Sequence, residues 1–594
     1  MPPSSISLAP GQQPGLGRRQ EAHAGPGPEP GPGPLPQDTA PALPFIGQLL
    51  RCVPGQSITV TRRLSLQEDL YLADHHFVHA PGVKPLAACF PVLPMTVSLE
   101  VMAETAACLA PGCGLTGFEN VSAGRWIALA ERDALTLRIE GQVEHFDPPS
   151  ATWRIGVAIF IDGEAGAAIS ASLLFGKHYP CTLALALDAV AAATNLSAAH
   201  VYAQRHLFHG PRFQCLAGSI ALDQGGASAE LLVRAPDQLF RSNAQPQLLT
   251  DPALLDTVGQ VMALWSLQQG RVAFPVGLGK LELYGPTPAP GTRVVLRAAL
   301  RASGLKMLDA DVEISDGLGA VWLRIRGWKS WQFKWDQRLQ DFRRLPCRYL
   351  LSDRLALPAA IPGPLCQRVD AARVAGFDLA LLARHYLDGE EMARFAAKSS
   401  TAARQLEWLL GRIAAKDAIR AWHALRQGGG EAEGGGELLH PAAFGLDNDA
   451  CGQPRVVRWP DAGIPPPCVS IAHCAEQALA VAHADPVGID IERVAARDDA
   501  FLHAFSSAAE RALLAPLSGP GPVRDAWLTR LWCAKEALGK RLGTGVNQAP
   551  QRFEARALGP AESLHMCHAG SGSTSRVGTV QHGDFIIAFD FGAN

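Results

Sequence analysis

Two acidic residues interrupt an aliphatic run in the segment "DPVGIDIERV" (485–494), where Asp490 and Glu492 alternate with Ile489 and Ile491. Successive side chains of a β-strand point to opposite faces, so the two carboxylates share one face. Carboxylate oxygens suit Mg²⁺, which takes one or two of them and completes its shell with water and phosphate oxygens. The alternation favours a magnesium site for a phosphate-containing substrate. The competing interpretation is an edge strand with a solvated face.

A helical segment downstream, "LTRLWCAKEALGKRLGTG" (528–545), supplies further polar groups. Trp532, Glu536 and Lys540 are four residues apart and therefore lie on one helical face, and Gly543 is placed to end the helix. Taken alone, Glu536 and Lys540 are equally an exposed ion pair. With His473 in "CVSIAHC" upstream, however, the ordered set favours a third carboxylate and a cation at the same site.

A second constellation lies in the N-terminal half. His75 occurs in "LYLADHHFVHAPG" (70–82), a turn-rich segment "LFHGPRFQ" spans 207–214, and "LLDTVGQ" places Asp256 and Gln260 on one helical face. A histidine and a carboxyl group can serve as base and acid in proton transfer. Each residue also has an ordinary structural interpretation. His75 could be a packed or surface histidine, and Asp256 could be a first-turn acid favoured by the helix dipole.

Composition limits the classes of protein that can carry these residues. The chain has 594 residues, 47% hydrophobic and 18% charged, which predicts a globular protein of roughly three or four folding units. With a net charge of −3, the chain has no excess of positive charge that would indicate nucleic-acid binding. Thirteen cysteines without a Cys-x-x-Cys pair indicate reduced thiols. With no secretion signal and no run that could span a membrane, we expect a cytoplasmic protein.

The patterning of the chain predicts the elements that position these residues. Short β-like runs such as "TWRIGVAIFI" alternate with two helices, one starting at Pro94 and ending before Gly112, the other capped by Asp251 and ending at Gly270. A long helix lies near 401–427 and a flexible loop, "GGGEAEGGGE", at 428–437. We predict four segments: a disordered Pro/Gly-rich leader at 1–45, a sheet-dominated α+β domain at 46–335, a linker at 336–344 and a further α+β domain at 345–594.

The C-terminal motifs, taken in order, resemble those of the 4′-phosphopantetheinyl transferases of the larger, pseudo-dimeric class. The matching segments are "GQPRV" (452–456), "VSIAH" (469–473), "VGIDIE" (487–492) and "WCAKEALGK" (532–540). The resemblance covers about 345–594 and implies a pseudo-two-fold α+β fold that activates carrier proteins of polyketide and peptide synthases.

The resemblance also implies roles for single residues. Asp490, Glu492 and Glu536 would hold Mg²⁺, and Glu536 would also accept the proton of the attacking serine. The residues expected to meet the phosphates of coenzyme A are Lys540, Lys535, His473 at the 3′-phosphate and, as further candidates, Arg412 and Lys416. Ala472 stands where the family often has serine, which removes one phosphate hydrogen bond.

The N-terminal motifs resemble the double hot-dog dehydratases of polyketide and polyunsaturated fatty acid synthases over about 46–335. By this resemblance His75 removes the α-proton of a β-hydroxyacyl thioester, Asp256 protonates the departing hydroxyl, and Gln260 helps to orient it. His79 and Lys84 stand where the common pattern has glycine and proline. This departure leaves His76 and His79 as alternative bases.

Together the motifs predict a two-enzyme protein of polyketide or polyunsaturated lipid assembly. Its acyl carrier protein would act in trans, since carrier domains present an Asp-Ser motif and the chain has no such dipeptide. Two alternatives stay open. In one, only the transferase is an enzyme and the hot-dog half binds an acyl chain or docks the carrier. In the other, the hot-dog half is a thioesterase, which the pairing of histidine with aspartate disfavours.

Overall fold

The structure is a computed structural model. It describes residues 43–181, 185–188, 190, 194–316, 318, 320–358, 365–398, 401–428, 437–517, 521–546 and 549–592. Nearly all of the expected leader and most of the glycine-rich loop lie outside the described residues. Among the helices of the described part, none is both long and apolar enough to cross a membrane.

The N-terminal half consists of two units, each a curved sheet with one central helix. The first contains β1 (Gln48–Val53), β2 (Ser57–Ser65), α1 (Met95–Ala107), β3 (Gly114–Ala123), β4 (Ala134–Asp147), β5 (Thr152–Ile161) and β6 (Ile169–Gly176). The second contains β7 (Thr194–Ser197), α2 (Ala198–Ala203), β8 (Leu216–Leu222), β9 (Gly226–Leu232), α3 (Pro252–Gln268), β10 (Val272–Leu283), β11 (Arg293–Ser303), β12 (Met307–Ser315) and β13 (Val321–Phe333).

The two sheets join edge to edge into one antiparallel sheet of thirteen strands, in the order β1-β2-β4-β5-β6-β3-β10-β13-β12-β11-β9-β8-β7. The junction is the pairing of β3 with β10, where Phe118 lies opposite Leu281. Gly117 lies so close to the carbonyl oxygen of Leu281 that a β-carbon would collide with it. The sheet therefore continues across both units and fixes α1 and α3 relative to each other.

Helix α3 begins and ends where the sequence predicts. The Asp251 side chain accepts a hydrogen bond of 2.9 Å from the Leu254 amide, Pro252 fills the first turn, and Gly270 has a φ of +66° just beyond the end. Its apolar stripe, which includes Leu255 and Val258, is buried against the sheet. Asp256 and Gln260 lie on the same turns of α3 as these residues.

The segment expected to be a linker is a helix, α4 (Gln337–Arg344), rather than an irregular tether. Leu339 and Phe342 on one side of it are buried in a cluster that also contains Phe77, Val78 and Tyr386. Because this cluster takes residues from both halves of the chain, the hydrophobic core does not end at the expected boundary. The two halves pack on one another through it.

The C-terminal half repeats a sheet-and-helix arrangement. Its first part contains β14 (Asp353–Leu355), β15 (Leu365–Asp370), α5 (Leu379–Tyr386), α6 (Gly389–Ala397), α7 (Ala402–Arg426), β16 (Gly445–Asn448), β17 (Pro454–Val457), β18 (Cys468–Cys474) and β19 (Gln477–His483). The second contains β20 (Gly488–Arg493), α8 (Asp499–Phe505), α9 (Ala508–Leu514), α10 (Pro522–Leu542), β21 (Phe553–Leu558), β22 (Leu564–His568), β23 (Thr574–His582) and β24 (Phe585–Asp590).

Each of these parts packs one long helix on one sheet: α7 on β14-β15-β19-β18, and α10 on β20-β24-β23-β22-β21. The parts meet where β18 adjoins β20, and the Ser470 hydroxyl there accepts a hydrogen bond of 3.1 Å from the Ile489 amide. Gly488 lets α10 approach β20, because a β-carbon would collide with the Ala537 carbonyl oxygen. The expected pseudo-two-fold α+β arrangement is present.

Candidate active sites

A cavity of about 290 Å³ in the N-terminal half contains His75 and Asp256, two residues of the N-terminal constellation. Apolar and aromatic side chains form most of its wall, among them Phe77, Trp126 and Phe274. Its polar wall includes His75, from the segment after β2, and Asp256, from α3. A mostly apolar cleft with a few converging polar groups is the usual form of a small-molecule site.

His75 is held in one tautomer. Its Nδ1 lies 2.7 Å from the carbonyl oxygen of Val92, which can only accept, so Nδ1 carries the hydrogen and Nε2 keeps a lone pair. Burial, with a smaller contribution from His209, lowers the pKa of His75 to about 4. At neutral pH the imidazole is therefore uncharged and can accept a proton.

Asp256 is 7% exposed and its Oδ2 accepts two hydrogen bonds. One comes from Gln260 Nε2 at 2.9 Å, and the other from His209 Nε2 at 3.0 Å. Burial raises the pKa of Asp256, but His209 and the hydrogen bonds outweigh it and hold the pKa below its usual value. The carboxyl group is therefore an anion at neutral pH, and it accepts the hydrogen bond from His209 Nε2.

The three residues expected in this site lie together. Gln260 is fixed by two more hydrogen bonds, one donated to the Phe213 carbonyl oxygen at 2.9 Å and one accepted from the Tyr202 hydroxyl at 2.7 Å. His209 was not singled out from the sequence, although it lies in the "LFHGPRFQ" segment. One ring nitrogen each of His75 and His209 and one carboxylate oxygen of Asp256 all lie within 4.8 Å of one another.

The alternative bases, His76 and His79, are not part of the described wall of this cavity. His76 donates from Nδ1 to the Val78 carbonyl oxygen at 2.9 Å. Asp74, which precedes His75, does not pair with that histidine. Its Oδ2 accepts hydrogen bonds from the Arg212 amide and guanidinium at 3.0 and 2.8 Å. Asp74 thus fastens the segment carrying His209 beside the segment carrying His75.

His79 and Lys84, the two residues that differ from the common dehydratase pattern, both contact the C-terminal half. Lys84 Nζ donates to the Arg384 carbonyl oxygen at 2.6 Å, and the His79 carbonyl oxygen accepts from His440 Nε2 at 3.1 Å. Arg384 also pairs with Glu131 of the hot-dog half. The loop after His75 is therefore held by residues of the other half.

The C-terminal constellation lies between β20 and α10. Ile489 and Ile491 are buried, while Asp490 and Glu492 face the helix, as the alternation predicts. Asp490 Oδ1 lies 2.8 Å from Lys540 Nζ, and Glu492 Oε1 accepts a hydrogen bond of 3.3 Å from Trp532 Nε1. Glu536 lies on the same helical face, between these two helix residues.

The carboxylates of this constellation fit a hard divalent cation. Asp490 is 6% exposed, and its Oδ2 is buried without a hydrogen-bond partner among the described residues. Burial and then Asp490 raise the pKa of both Glu492 and Glu536, so each resists becoming an anion in the absence of a counterion. The oxygens of the three side chains are not all within 4.8 Å of one another, so joint ligation requires a side-chain rotation.

His473 and Arg412 lie on the part of the C-terminal half formed by β18 and α7. His473 is about half exposed, with its Nε2 3.3 Å from Glu407 Oε1. The Arg412 guanidinium lies 4.9 Å above the Trp408 ring, and its Nη1 is buried without a partner in the described structure. Ala472, which stands where the family often has serine, is buried in a cluster with Ile489 and Ile491 of β20.

Lys535 and Lys416 do not fit the expected role of phosphate ligands. Lys535 Nζ is fully buried and contacts Glu510 and two carbonyl oxygens, all at 2.9 to 3.0 Å. Lys416 Nζ contacts Glu391 at 2.6 Å and two carbonyl oxygens at 2.7 and 2.8 Å. Each ammonium group has three donors, and each is saturated inside the core. Both lysines are structural residues here, which corrects the expectation.

Family models match one segment in each half of the chain. Residues 486–589 match the 4′-phosphopantetheinyl transferase superfamily, and residues 184–335 match the polyketide synthase dehydratase N-terminal domain. These matches confirm the predicted transferase and dehydratase domains. Asp490, Glu492 and Glu536 lie inside the first match and Asp256 inside the second, whereas His75 precedes it.

Similar solved structures are dehydratase domains. The domain from the CurF module of curacin polyketide synthase is 18% identical, with 49% of this chain and 99% of that chain covered and a TM-score of 0.37. The domain of a mycocerosic acid synthase-like polyketide synthase is 17% identical, with 50% and 98% covered and a TM-score of 0.38. No curated protein matches the chain.

Proposed function

We propose that this chain, which combines a 4′-phosphopantetheinyl transferase domain with a polyketide synthase dehydratase domain, both activates an acyl carrier protein and dehydrates the β-hydroxyacyl thioester that the carrier bears. The context would be polyketide or polyunsaturated lipid assembly. The observation that supports the proposal is the presence of two clusters of polar side chains, one in each half. One is the carboxylate and lysine set between β20 and α10, and the other is His75 opposite the Asp256–His209 pair.

In the dehydratase site, the lone pair on His75 Nε2 removes the α-proton of the substrate. The bond between the β-carbon and its oxygen then breaks, and the hydroxyl leaves as water with the proton held between Asp256 and His209. Gln260 keeps the Asp256 carboxylate in place. Solvent returns the proton from His75 to the pair. The expected acid, Asp256, thus acts together with His209 rather than alone.

In the transferase site, a carrier serine attacks the β-phosphorus of coenzyme A, and the bond to the adenosine 3′,5′-bisphosphate part breaks. Asp490, Glu492 and Glu536 are the residues that would hold Mg²⁺, which neutralises charge on the pyrophosphate when bound. Lys540 supplies a further positive charge, and Glu536, whose pKa is raised by burial, is suited to take the serine proton. His473 and Arg412 are the residues proposed for the remaining phosphate.

The carrier is proposed to act in trans, since the chain contains no Asp-Ser dipeptide. A cytoplasmic location is supported by the thirteen cysteines, all of which are free in the structure.

The transferase is tested by the intact mass of an apo carrier protein incubated with this protein, coenzyme A and Mg²⁺. We expect a gain of one phosphopantetheine arm, lost with Asp490→Ala. Asp485→Ala is a matched control, because this acid lies just before the same strand with an exposed side chain. Absence of any gain over a panel of carriers, or equal activity of Asp490→Ala, would contradict the proposal.

The dehydratase is tested with a synthetic β-hydroxyacyl thioester and detection of the enoyl product. His75→Ala and Asp256→Ala should each abolish the product, whereas His76→Ala, the neighbouring histidine outside the described cavity wall, should retain it. Enoyl formation that survives both substitutions would exclude these two residues from the chemistry, whereas binding of the thioester without any enoyl product would leave the hot-dog half as a recognition module. Hydrolysis without an enoyl intermediate would identify a thioesterase.

A further inference from the structure

Three side chains of the kinds that bind transition metals converge in the wall of the dehydratase cavity. The ring nitrogens of His75 and His209 and the carboxylate oxygen of Asp256 that face one another are no more than 4.8 Å apart, and His209 Nε2 is already 3.0 Å from Asp256 Oδ2. Neighbouring ligands of a tetrahedral Zn²⁺ ion are about 3.3 Å apart, since each lies about 2.0 Å from the metal. Side-chain movements of about 1.5 Å or less would therefore complete three corners of a tetrahedron.

The ligand atoms of His75 and Asp256 are fixed by their surroundings. His75 Nδ1 donates to the Val92 carbonyl oxygen at 2.7 Å, which leaves the lone pair on Nε2. A carbonyl oxygen that accepts from the other ring nitrogen is a usual outer-shell partner of a metal-binding histidine, because it fixes the tautomer and makes the ligand nitrogen more basic. Gln260 Nε2 holds the carboxylate through a hydrogen bond of 2.9 Å to Asp256 Oδ2. Two of the three ligands thus have their outer-shell contacts in place.

His209 has a ring nitrogen without a contact. The residue is 7% exposed, and its Nδ1 is buried without a hydrogen-bond partner among the described residues. Nε2 carries the hydrogen that Asp256 accepts. When Nε2 binds a metal, this hydrogen moves to Nδ1, which breaks no other hydrogen bond of the ring. The metal then replaces the lost hydrogen bond between Nε2 and the carboxylate, so His209 becomes a ligand without leaving its position.

The segments that carry the two histidines are fastened to each other. Asp74, which precedes His75, accepts hydrogen bonds of 3.0 and 2.8 Å from the amide and guanidinium of Arg212, and its carbonyl oxygen accepts one of 2.7 Å from the Gly210 amide. Gly210 lies so close to Asp74 that a β-carbon would be 2.3 Å from a carboxylate oxygen. The relative positions of the ligands are therefore set before a metal binds, which lowers the cost of binding.

The chemistry of the ligands selects the metal. Two imidazole nitrogens and one carboxylate oxygen suit Zn²⁺ and related transition-metal ions, whereas Mg²⁺ prefers oxygen ligands. The carboxylates of the transferase half, Asp490, Glu492 and Glu536, offer oxygen alone. The two halves should therefore prefer different metals. Three protein ligands also leave the fourth position of a tetrahedral ion to water or to a substrate atom in the cavity.

We infer that His75, His209 and Asp256 form a Zn²⁺ site that blocks the dehydratase when the metal is bound. The metal takes the Nε2 lone pair of His75, which the proposed dehydration uses to remove the α-proton, and it also separates Asp256 from His209. The inhibition rests on the proposed dehydration, whereas the binding of the metal does not. Zn²⁺ is thus a reversible inhibitor of one half that leaves the carboxylates of the other half to Mg²⁺.

Co²⁺ is the probe for binding, because its visible d–d bands report the ligands without any turnover. The full chain is titrated with Co²⁺ in excess Mg²⁺, which occupies the carboxylates of the transferase half. The spectrum of His209→Phe is subtracted to remove any contribution of the free cysteines. We expect d–d bands in this difference spectrum without a sulfur-to-cobalt charge-transfer band, and Zn²⁺ should displace them.

The variants identify the ligands. His209→Phe should weaken Co²⁺ binding by at least about 10- to 100-fold, since removal of an outer-shell partner alone has this effect. Asp256→Asn, which keeps the shape of the side chain, should also weaken binding and provides a second test if one variant fails to fold. His206→Gln is the matched control, because this histidine lines the same cavity but its ring lies 3.0 Å from Arg344 Nη1, outside the cluster. It should bind Co²⁺ like the wild type.

Enoyl formation tests the inhibition. Zn²⁺ should slow the wild type and His206→Gln by about 100-fold or more, the usual contribution of a general base, and EDTA should restore the rate. His209→Phe, compared with its own rate in EDTA, should be insensitive to the same concentration of Zn²⁺. Equal inhibition of His209→Phe would place the inhibitory metal elsewhere and overturn the inference.

The spectra separate this inference from the proposed dehydration. A difference spectrum without d–d bands overturns the metal site, whatever the rate of dehydration. Bands accompanied by an unchanged rate in Zn²⁺ overturn the inhibition. Bands from a protein that forms no enoyl product even in EDTA support the metal site, and in that case only the dehydration fails.

Discussion

His209 gives the most direct test of the reasoning about the dehydratase site. His209→Phe removes the hydrogen bond of 3.0 Å to Asp256 but keeps an aromatic ring to stack on Phe208, whose centroid lies 4.2 Å away. A hydrogen bond to a charged group contributes about 1.5–3 kcal/mol, which corresponds to a loss of about 10- to 150-fold in kcat/KM. The substitution also removes the partner that most strongly lowers the pKa of Asp256, so this pKa should rise under the effect of burial.

The assay is the pH profile of kcat/KM for enoyl formation from a β-hydroxyacyl thioester. In His209→Phe we expect the lower rate at neutral pH, together with an Asp256 ionisation moved towards higher pH. His200→Phe, at an exposed position just before the same segment, is the control for introducing an aromatic ring and should resemble the wild type. If His209→Phe kept the wild-type rate and profile, the Asp256–His209 pair would have no part in proton transfer.

The remaining predictions concern both sites. Because burial lowers the pKa of His75 to about 4, protonation of this histidine should reduce kcat/KM for dehydration only below about pH 5, which the acid side of a pH profile checked by circular dichroism would show. Asp490→Asn should weaken Mg²⁺ activation. Calorimetric titration of Mg²⁺ into the wild type and into Asp490→Asn would measure this difference directly. Lys535→Met should lower the unfolding free energy by about 3–5 kcal/mol, since it leaves the buried Glu510 without a counterion, which thermal or denaturant unfolding measures. Lys540→Met should abolish transfer in the mass assay, since it removes the positive charge beside Asp490.

Local patterns predicted much of the fold, because they are set by neighbouring residues. The alternation around Asp490 predicted that Asp490 and Glu492 share one face of the strand, and in the structure this face lies against α10. The capping residues of α3 predicted where that helix begins and ends. Long-range partners could not be read in this way. Lys535 precedes Glu536 by one residue, yet it points into the core because Glu510, from another helix, lies there.

Two further features depended on three-dimensional packing. The segment 336–344 has few apolar residues and reads as a linker, but Leu339 and Phe342 suffice to bury one side of α4. His209 follows two apolar residues in a turn segment, and only the fold brings it to Asp256 from α3. The function of a polar residue in a loop is therefore set by the element that the loop faces.

The core that joins the two halves has a consequence for how the protein unfolds. The loop after His75 buries Phe77 and Val78 among residues of the transferase half, and Lys84 bonds to the Arg384 backbone. Loss of structure in either half would expose this shared apolar surface, so both halves should melt in one cooperative transition. Coenzyme A bound to the transferase half would then protect the dehydratase half against heat as well, since a ligand stabilises every part of a unit that unfolds together. The folding free energy of each half therefore depends on the other half.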